Sequence, residues 1–236
     1  MLFALHECDA PQGVTALGRS LGLPKSSTHR LLASLTGRGL VERDPSGRYR
    51  PGIALVALGL GVLEREPVVA AARPVLEAEA AAVGETVFLV VARAGRLVVL
   101  EKAEGTGFLR AAPRVGAAVP VHATAVGKLF LAFDPARVDA PRGRLEAFTA
   151  HTVGSASDLS REVERARERG FAENREEWIA GLSVVAAPVV VRKRMEGAVA
   201  VAASTPRLDE LGIEAMGRRS LAAAARIAAR LEGRSA

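Results

Sequence analysis

The sequence predicts an α+β chain in two parts, an N-terminal winged helix-turn-helix followed by an antiparallel sheet covered by helices. Three observations lead there. Residues 14–52, VTALGRSLGLPKSSTHRLLASLTGRGLVERDPSGRYRPG, hold two short amphipathic helices, a Gly-Leu-Pro turn and a basic hairpin in one unit. Beyond Pro67, strand patterns come in adjacent pairs with helical patterns before and after them, the arrangement of an α+β layer rather than of alternating βαβ units. The 236 residues, 49% of them hydrophobic, suffice for one small and one medium core. The expected division is 1–66 for the winged unit with its linker helix and 67–236 for the second domain.

In the first helix of the motif Val14, Leu17 and Leu21 recur at helical spacing, with Thr15 placed to cap it and Gly22 to end it. Pro24 suits the opening of the second helix, where Leu31, Leu32 and Leu35 form an apolar stripe. The opposite face carries Ser26, Ser27, Arg30 and Ser34. Hydroxyls and a guanidinium facing outward match the major groove, where Arg pairs with guanine and Ser reaches phosphate or base edges. LVERD and RYR then read as a hairpin around Pro45, Ser46 and Gly47, the expected wing.

Between residues 19 and 50 seven cations, Arg19, Lys25, Arg30, Arg38, Arg43, Arg48 and Arg50, face two carboxylates, Glu42 and Asp44. That excess neutralises phosphates and makes affinity depend on salt. The expected contacts to double-stranded DNA are Ser26, Ser27 and Arg30 in the major groove, Lys25 on phosphate, and Arg48 or Arg50 on the adjoining backbone or minor groove. A solvated charged surface on an ordinary helical unit is the alternative. The formal net charge of +6 spreads beyond this unit, as at Arg192, Lys193 and Arg194, and supports an anionic partner only weakly.

IALVALGLGVL, residues 53–63, is apolar on every side and ends at Glu64, Arg65 and Glu66. A helix apolar all round must be buried all round, against a second copy of itself or inside the second domain. It is too short to span a membrane. MLFALHE reads as a helix rather than a leader and Cys8 is the single cysteine, so a cytoplasmic chain without disulfides is expected.

In the second part a helix is expected over 68–83, then TVFLVVAR and RLVVLEKA joined across Ala94 and Gly95, a third strand at 108–112 and a helix over 124–133. A charged helix over 161–169 follows, capped by Ser157. Strands at 182–191 and 198–203, joined across 193–197, precede an alanine-rich helix over 208–231.

Three segments in order resemble the IclR family of bacterial transcriptional regulators: GLPKSSTHRLLASLTGRGLVERDPSGRYRPG, VHATAVGKLFLAF and RGFAENREEWIAGLSVVAAPV. The resemblance implies a GAF-like second domain that binds a small effector, and dimers formed through the N-terminal parts. It also implies a pocket wall of Ala125, Val126 and Gly127 from HATAVGK, Asn174 from AENREEW, Leu182 and Val184 from GLSVV, and Ser204 from AASTP. Some family members carry an acidic residue where Asn174 stands and a cysteine where Val184 stands. Dimers would present two recognition helices to a pseudo-palindromic operator, with a tetramer on DNA as the larger assembly.

For chemistry the chain offers little: no GxSxG elbow, no phosphate-binding glycine loop, and no His or Cys at metal-ligand spacing. No cofactor, metal or catalytic residue is therefore expected. His122, Lys128, Glu176 and Glu177 make a tempting acid-base set, with a histidine bonded to backbone near a helix start as the plainer reading. The helix start at Ala125, Val126 and Gly127 offers backbone N–H groups suited to a small carboxylate, so a small organic acid that alters operator affinity is the expected effector. The alternatives are a GAF-like small-molecule enzyme and a constitutive architectural DNA binder.

Overall fold

The computed structural model describes residues 1–107, 113–141 and 143–233, so the strand expected at 108–112 lies outside the described residues. The chain divides into two compact units, Met1–Arg65 and Glu66–Ala236.

The first unit runs α1 (Leu2–His6), α2 (Val14–Ser20), α3 (Lys25–Thr36), β1 (Val41–Arg43), β2 (Tyr49–Pro51) and α4 (Ala54–Glu64). Leu5, Leu17, Leu32, Val41 and Tyr49 make its core, so one side chain from each of α1, α2, α3, β1 and β2 meets at the centre. Two helix details differ from expectation. Gly13, not Thr15, stands at the N-cap of α2, and it supplies no side chain. In α3 Leu31 is exposed while Thr28 is fully buried, its hydroxyl donating to the Pro24 carbonyl at 3.0 Å. Satisfying its hydroxyl within its own helix turn lets a threonine take the inward place. Gly22, at φ +63, ends α2 in the left-handed conformation.

The second unit contains α5 (Pro67–Val83), β3 (Thr86–Arg93), β4 (Arg96–Ala103), β5 (Ala118–Val119), α6 (Ala125–Phe133), α7 (Ala156–Arg169), β6 (Ala172–Arg175), β7 (Leu182–Val191), β8 (Arg194–Ser204), α8 (Thr205–Leu211) and α9 (Ile213–Gly233). Six strands form one antiparallel sheet in the order β5-β4-β3-β8-β7-β6. Strand alternation sorts the core into two layers. Phe88, Val90, Leu182, Val184, Ala200 and Ala202 face α6, whose Val126, Leu129 and Phe130 pack against them. Val87, Leu89, Val185, Val199 and Val201 point to the other face, also buried, where α5 and α9 lie. There the buried carboxylate of Glu79 on α5 receives both Arg219 and Arg226 of α9, so the charge is paired rather than merely desolvated.

Four features depart from the sequence expectation. Ser155, not Ser157, caps α7, accepting from the Asp158 N–H at 3.1 Å. The β7–β8 connection is the two-residue turn Arg192–Lys193, both at positive φ, rather than the stretch 193–197. The C-terminal helical region breaks at Gly212 into α8 and α9. Strands β5 and β6 are additional.

Candidate nucleic-acid interface and ligand cavity

On α3 the exposed residues include Lys25, Ser26, Arg30 and Ser34, with Ser27 half-buried. Leu32 and Thr28 anchor the helix from behind, so Ser26, Ser27, Arg30 and Ser34 share the face turned away from the core, while Lys25 stands exposed at the helix start. On the wing both carboxylates are engaged internally. Asp44 accepts from the Ser46 hydroxyl at 2.7 Å and the Arg48 N–H at 2.9 Å, closing the turn, and these bonds hold its pKa below the usual value. Glu42 accepts from the Ile53 N–H at 3.1 Å and from Arg50 at 2.9 Å, which lowers its pKa too. The Arg43 guanidinium folds over the Tyr49 ring and donates to the Gly47 carbonyl.

The geometry therefore separates the wing cations. Among the described residues Lys25, Arg30 and Arg48 enter no ion pair, whereas Arg50 is tied to Glu42. Arg48 keeps its full charge for phosphate, whereas Arg43, equally without an ion pair among the described residues, is folded over the Tyr49 ring.

The linker helix α4 is apolar up to its last residue, Glu64, and contains no buried residue. Val56, Leu58, Leu60 and Val62 are each more than half exposed.

In the second unit a narrow cavity lies between the sheet and the start of α6, lined by Phe88, Val119, Thr124, Ala125, Val126 and Asn174, and by Trp178, Ile179, Leu182 and Val184. Five of the seven pocket residues expected from the sequence meet there: Ala125, Val126, Asn174, Leu182 and Val184. Two do not. Gly127 is turned away, its N–H donating to the Thr124 hydroxyl at 3.1 Å while its Cα lies against the Val121 backbone. Ser204 stands opposite Leu182 in the β7–β8 register, at the sheet end where α8 begins, outside the cavity wall.

The polar groups also differ from expectation. The Asn174 amide is buried, donating to the Ala123 carbonyl and accepting from the Glu177 N–H, both at 2.9 Å. It fastens the α6 approach to the segment after β6 before any ligand arrives. Thr124 caps α6 and donates to the Pro120 carbonyl at 2.7 Å. That leaves the N–H groups of Ala125 and Val126 without a partner among the described residues. Sequence reasoning missed Phe88 and Trp178. Phe88 reads as one more apolar residue of a buried strand, and Trp178 lies in an acidic turn whose course only the fold reveals.

Of the acid-base set only Lys128 and Glu177 meet, while His122 and Glu176 are engaged elsewhere. His122 Nε2 meets the Glu146 carbonyl at 2.8 Å, and its ring stacks on Phe148. Lys128 is buried with Nζ 2.5 Å from Glu177, 3.3 Å from Glu162 and 3.1 Å from the Glu173 carbonyl. Burial raises the Glu177 pKa, with Lys128 opposing the shift. The Glu176 carboxylate accepts from the Gly181 N–H at 2.9 Å, which lowers its pKa. Each of these groups holds a loop or a helix in place. No group of three or more His, Cys, Asp or Glu side chains among the described residues is placed to hold a metal ion, and no described helix is long and apolar enough to cross a membrane.

Residues 1–45 match the IclR helix-turn-helix domain, and residues 60–229 match the family described as bacterial transcriptional regulator IclR C-terminal. The glycerol operon regulatory protein of Streptomyces coelicolor is 34% identical over 203 residues, 85% of this chain and 80% of that protein. The DNA-binding transcriptional repressor YiaJ of Escherichia coli is 32% identical over 204 residues, 83% of this chain and 72% of that protein. Among solved structures, an IclR transcriptional regulator from Alicyclobacillus acidocaldarius superposes with a TM-score of 0.81 at 28% identity, covering 94% of this chain and 91% of its own. The relatives are named as regulators of transcription, and the wing and α3 supply the DNA-binding element that such a role requires. The chain belongs to the IclR family of bacterial transcriptional regulators.

Proposed function

We propose that this regulator is a cytoplasmic homodimer, joined through α4, whose second unit binds a small organic acid and thereby changes its affinity for a pseudo-palindromic operator. The observation that carries the effector reading is the cavity at the start of α6, where, among the described residues, two partnerless N–H groups border a wall without catalytic groups. Lys25, Ser26, Ser27 and Arg30 are assigned to the DNA groove and phosphates, with Arg48 on the adjoining backbone and Arg50 in a lesser role because Glu42 holds it. The domain division follows as 1–66 for DNA reading and 67–236 for effector binding. An effector acts only by its differential affinity for two arrangements of the dimer.

The test is operator binding by the purified protein with and without acids that raise its melting temperature. Expected is a ligand that stabilises the protein and changes operator affinity together. Operator affinity unchanged by every stabilising acid would favour the constitutive architectural reading.

A further inference from the structure

We propose that the cavity selects a compact ring-bearing molecule with a single polar end, benzoate being the simplest probe, and that Phe88 and Trp178 set this choice. The inference rests on the reading of this cavity as the effector site and specifies what the site takes.

The chain has seven Phe, one Tyr and one Trp, and two of these rings, including the single tryptophan, border this one cavity. With Val119, Leu182 and Val184 they make a wall suited to the faces of a flat apolar molecule. Among the described residues none that lines it carries an ionised side chain: Lys128, on the same helix, is held in its own ion pairs with Glu177 and Glu162. The Asn174 amide and the Thr124 hydroxyl each already give one hydrogen bond and receive one within the protein. A polyol or a dicarboxylate would bury several groups with no partner, each weakening binding about tenfold or more. One polar end can be met by the Ala125 and Val126 N–H groups.

In the closed form the cavity is about 20 Å³, room for little more than one water. A ring therefore enters only when a wall side chain turns outward. Ile179 is 40% exposed and Trp178 half-buried, and both lie on the short segment between β6 and β7. Both have solvent beside them into which to turn, so Trp178 itself should change surroundings when the site fills.

Because Trp178 is the single tryptophan, intrinsic fluorescence of the full-length protein reports directly on this cavity. Titration with benzoate, glycolate, malonate and glycerol should show a saturable change with benzoate at a dissociation constant at least about tenfold below those of the other three. Phe88→Leu, which keeps the core filled but removes the ring, should weaken benzoate about tenfold or more; Trp178→Leu, read by calorimetry, serves if that variant does not fold. Tighter fluorescence-detected binding of glycolate, malonate or glycerol overturns the ring selection and leaves the cavity as the effector site. Benzoate that binds by calorimetry without altering Trp178 emission, and equally well to both variants, overturns the site and the selection together. Absence of benzoate binding also overturns the selection.

Discussion

A Cβ on Gly127 would lie 1.8 Å from the carbonyl oxygen of Val121, so the glycine is what lets the segment before α6 cross over the first turn of that helix. Its close contact is with backbone, which cannot rotate aside. The position works on the fold and reaches the cavity only by positioning Ala125 and Val126.

Gly127→Ala should therefore destabilise the second unit by about 3 kcal/mol, the upper end of overpacking costs. Chemical denaturation of the full-length protein measures it. A variant as stable as wild type would mean that the chain around residues 120–122 yields more easily than the contact implies.

Asn174→Ala should lower stability by about 1 to 3 kcal/mol, because it orphans the buried Ala123 carbonyl and Glu177 N–H together. Any loss of ligand affinity in this variant then follows from a displaced wall. Unchanged stability with weakened ligand binding would reverse that order and make the amide a direct contact.

On DNA, Arg30→Ala should weaken specific operator binding by about 1 to 3 kcal/mol with folding intact, since the side chain is exposed and has no ion pair among the described residues. Arg48→Ala should lower affinity for all sequences and flatten the salt dependence, while Arg50→Ala should do so less because Glu42 already compensates its charge. Equal salt slopes for the two wing variants would show that the Glu42 pair opens on DNA.

Leu60→Asp places a carboxylate on the apolar helix α4, where Leu60 is 54% exposed within its own chain. Under the proposed dimer it must be desolvated without a partner, so subunit association and operator binding should fail together. Sedimentation decides the matter, and a folded variant that remains dimeric would remove α4 from the interface.

Stability should also carry the signature of Glu177. Burial raises its pKa above 4.5 in the folded state, so it binds its proton more tightly folded than unfolded. Its contribution is fully present below about pH 4.5 and is lost as the pH rises through the raised value. Wild type should accordingly lose stability relative to Glu177→Gln as the pH climbs from about 4.5 through the raised value, and no further above it. A difference between the two that stays flat with pH would show that Lys128 cancels the cost of burial.

Much of this was legible before the fold was known. The wing announces itself through Pro45, Ser46 and Gly47, and the β3–β4 hairpin through Ala94–Gly95, because turn chemistry is local. Strand β6 was not legible: Ala172, Glu173, Asn174 and Arg175 carry no strand preference, and only pairing with β7 makes them one. The Thr28 and Leu31 exchange was hidden because a threonine that bonds back to its own helix sheds its polarity, which composition cannot register. At the cavity, the family resemblance named five of the residues that line it. The engagement of Asn174 and Thr124 depends on carbonyls elsewhere in the chain, at Ala123 and Pro120, whose positions periodicity does not give.

The strand order has a consequence for the chain while it is being made. β3 pairs with β4 across a two-residue turn, but its other edge pairs with β8, from Thr86 against Ala202, more than a hundred residues later. Until β8 has been synthesised, β3 presents a row of unpaired backbone groups flanked by Val87, Phe88, Leu89, Val90 and Val91, with a charge only at its far end, Arg93. A nascent or truncated chain that stops short of β8 thus exposes its stickiest strand, and the last third of the polypeptide acts as the cover that keeps the first half of the sheet from pairing with a stranger.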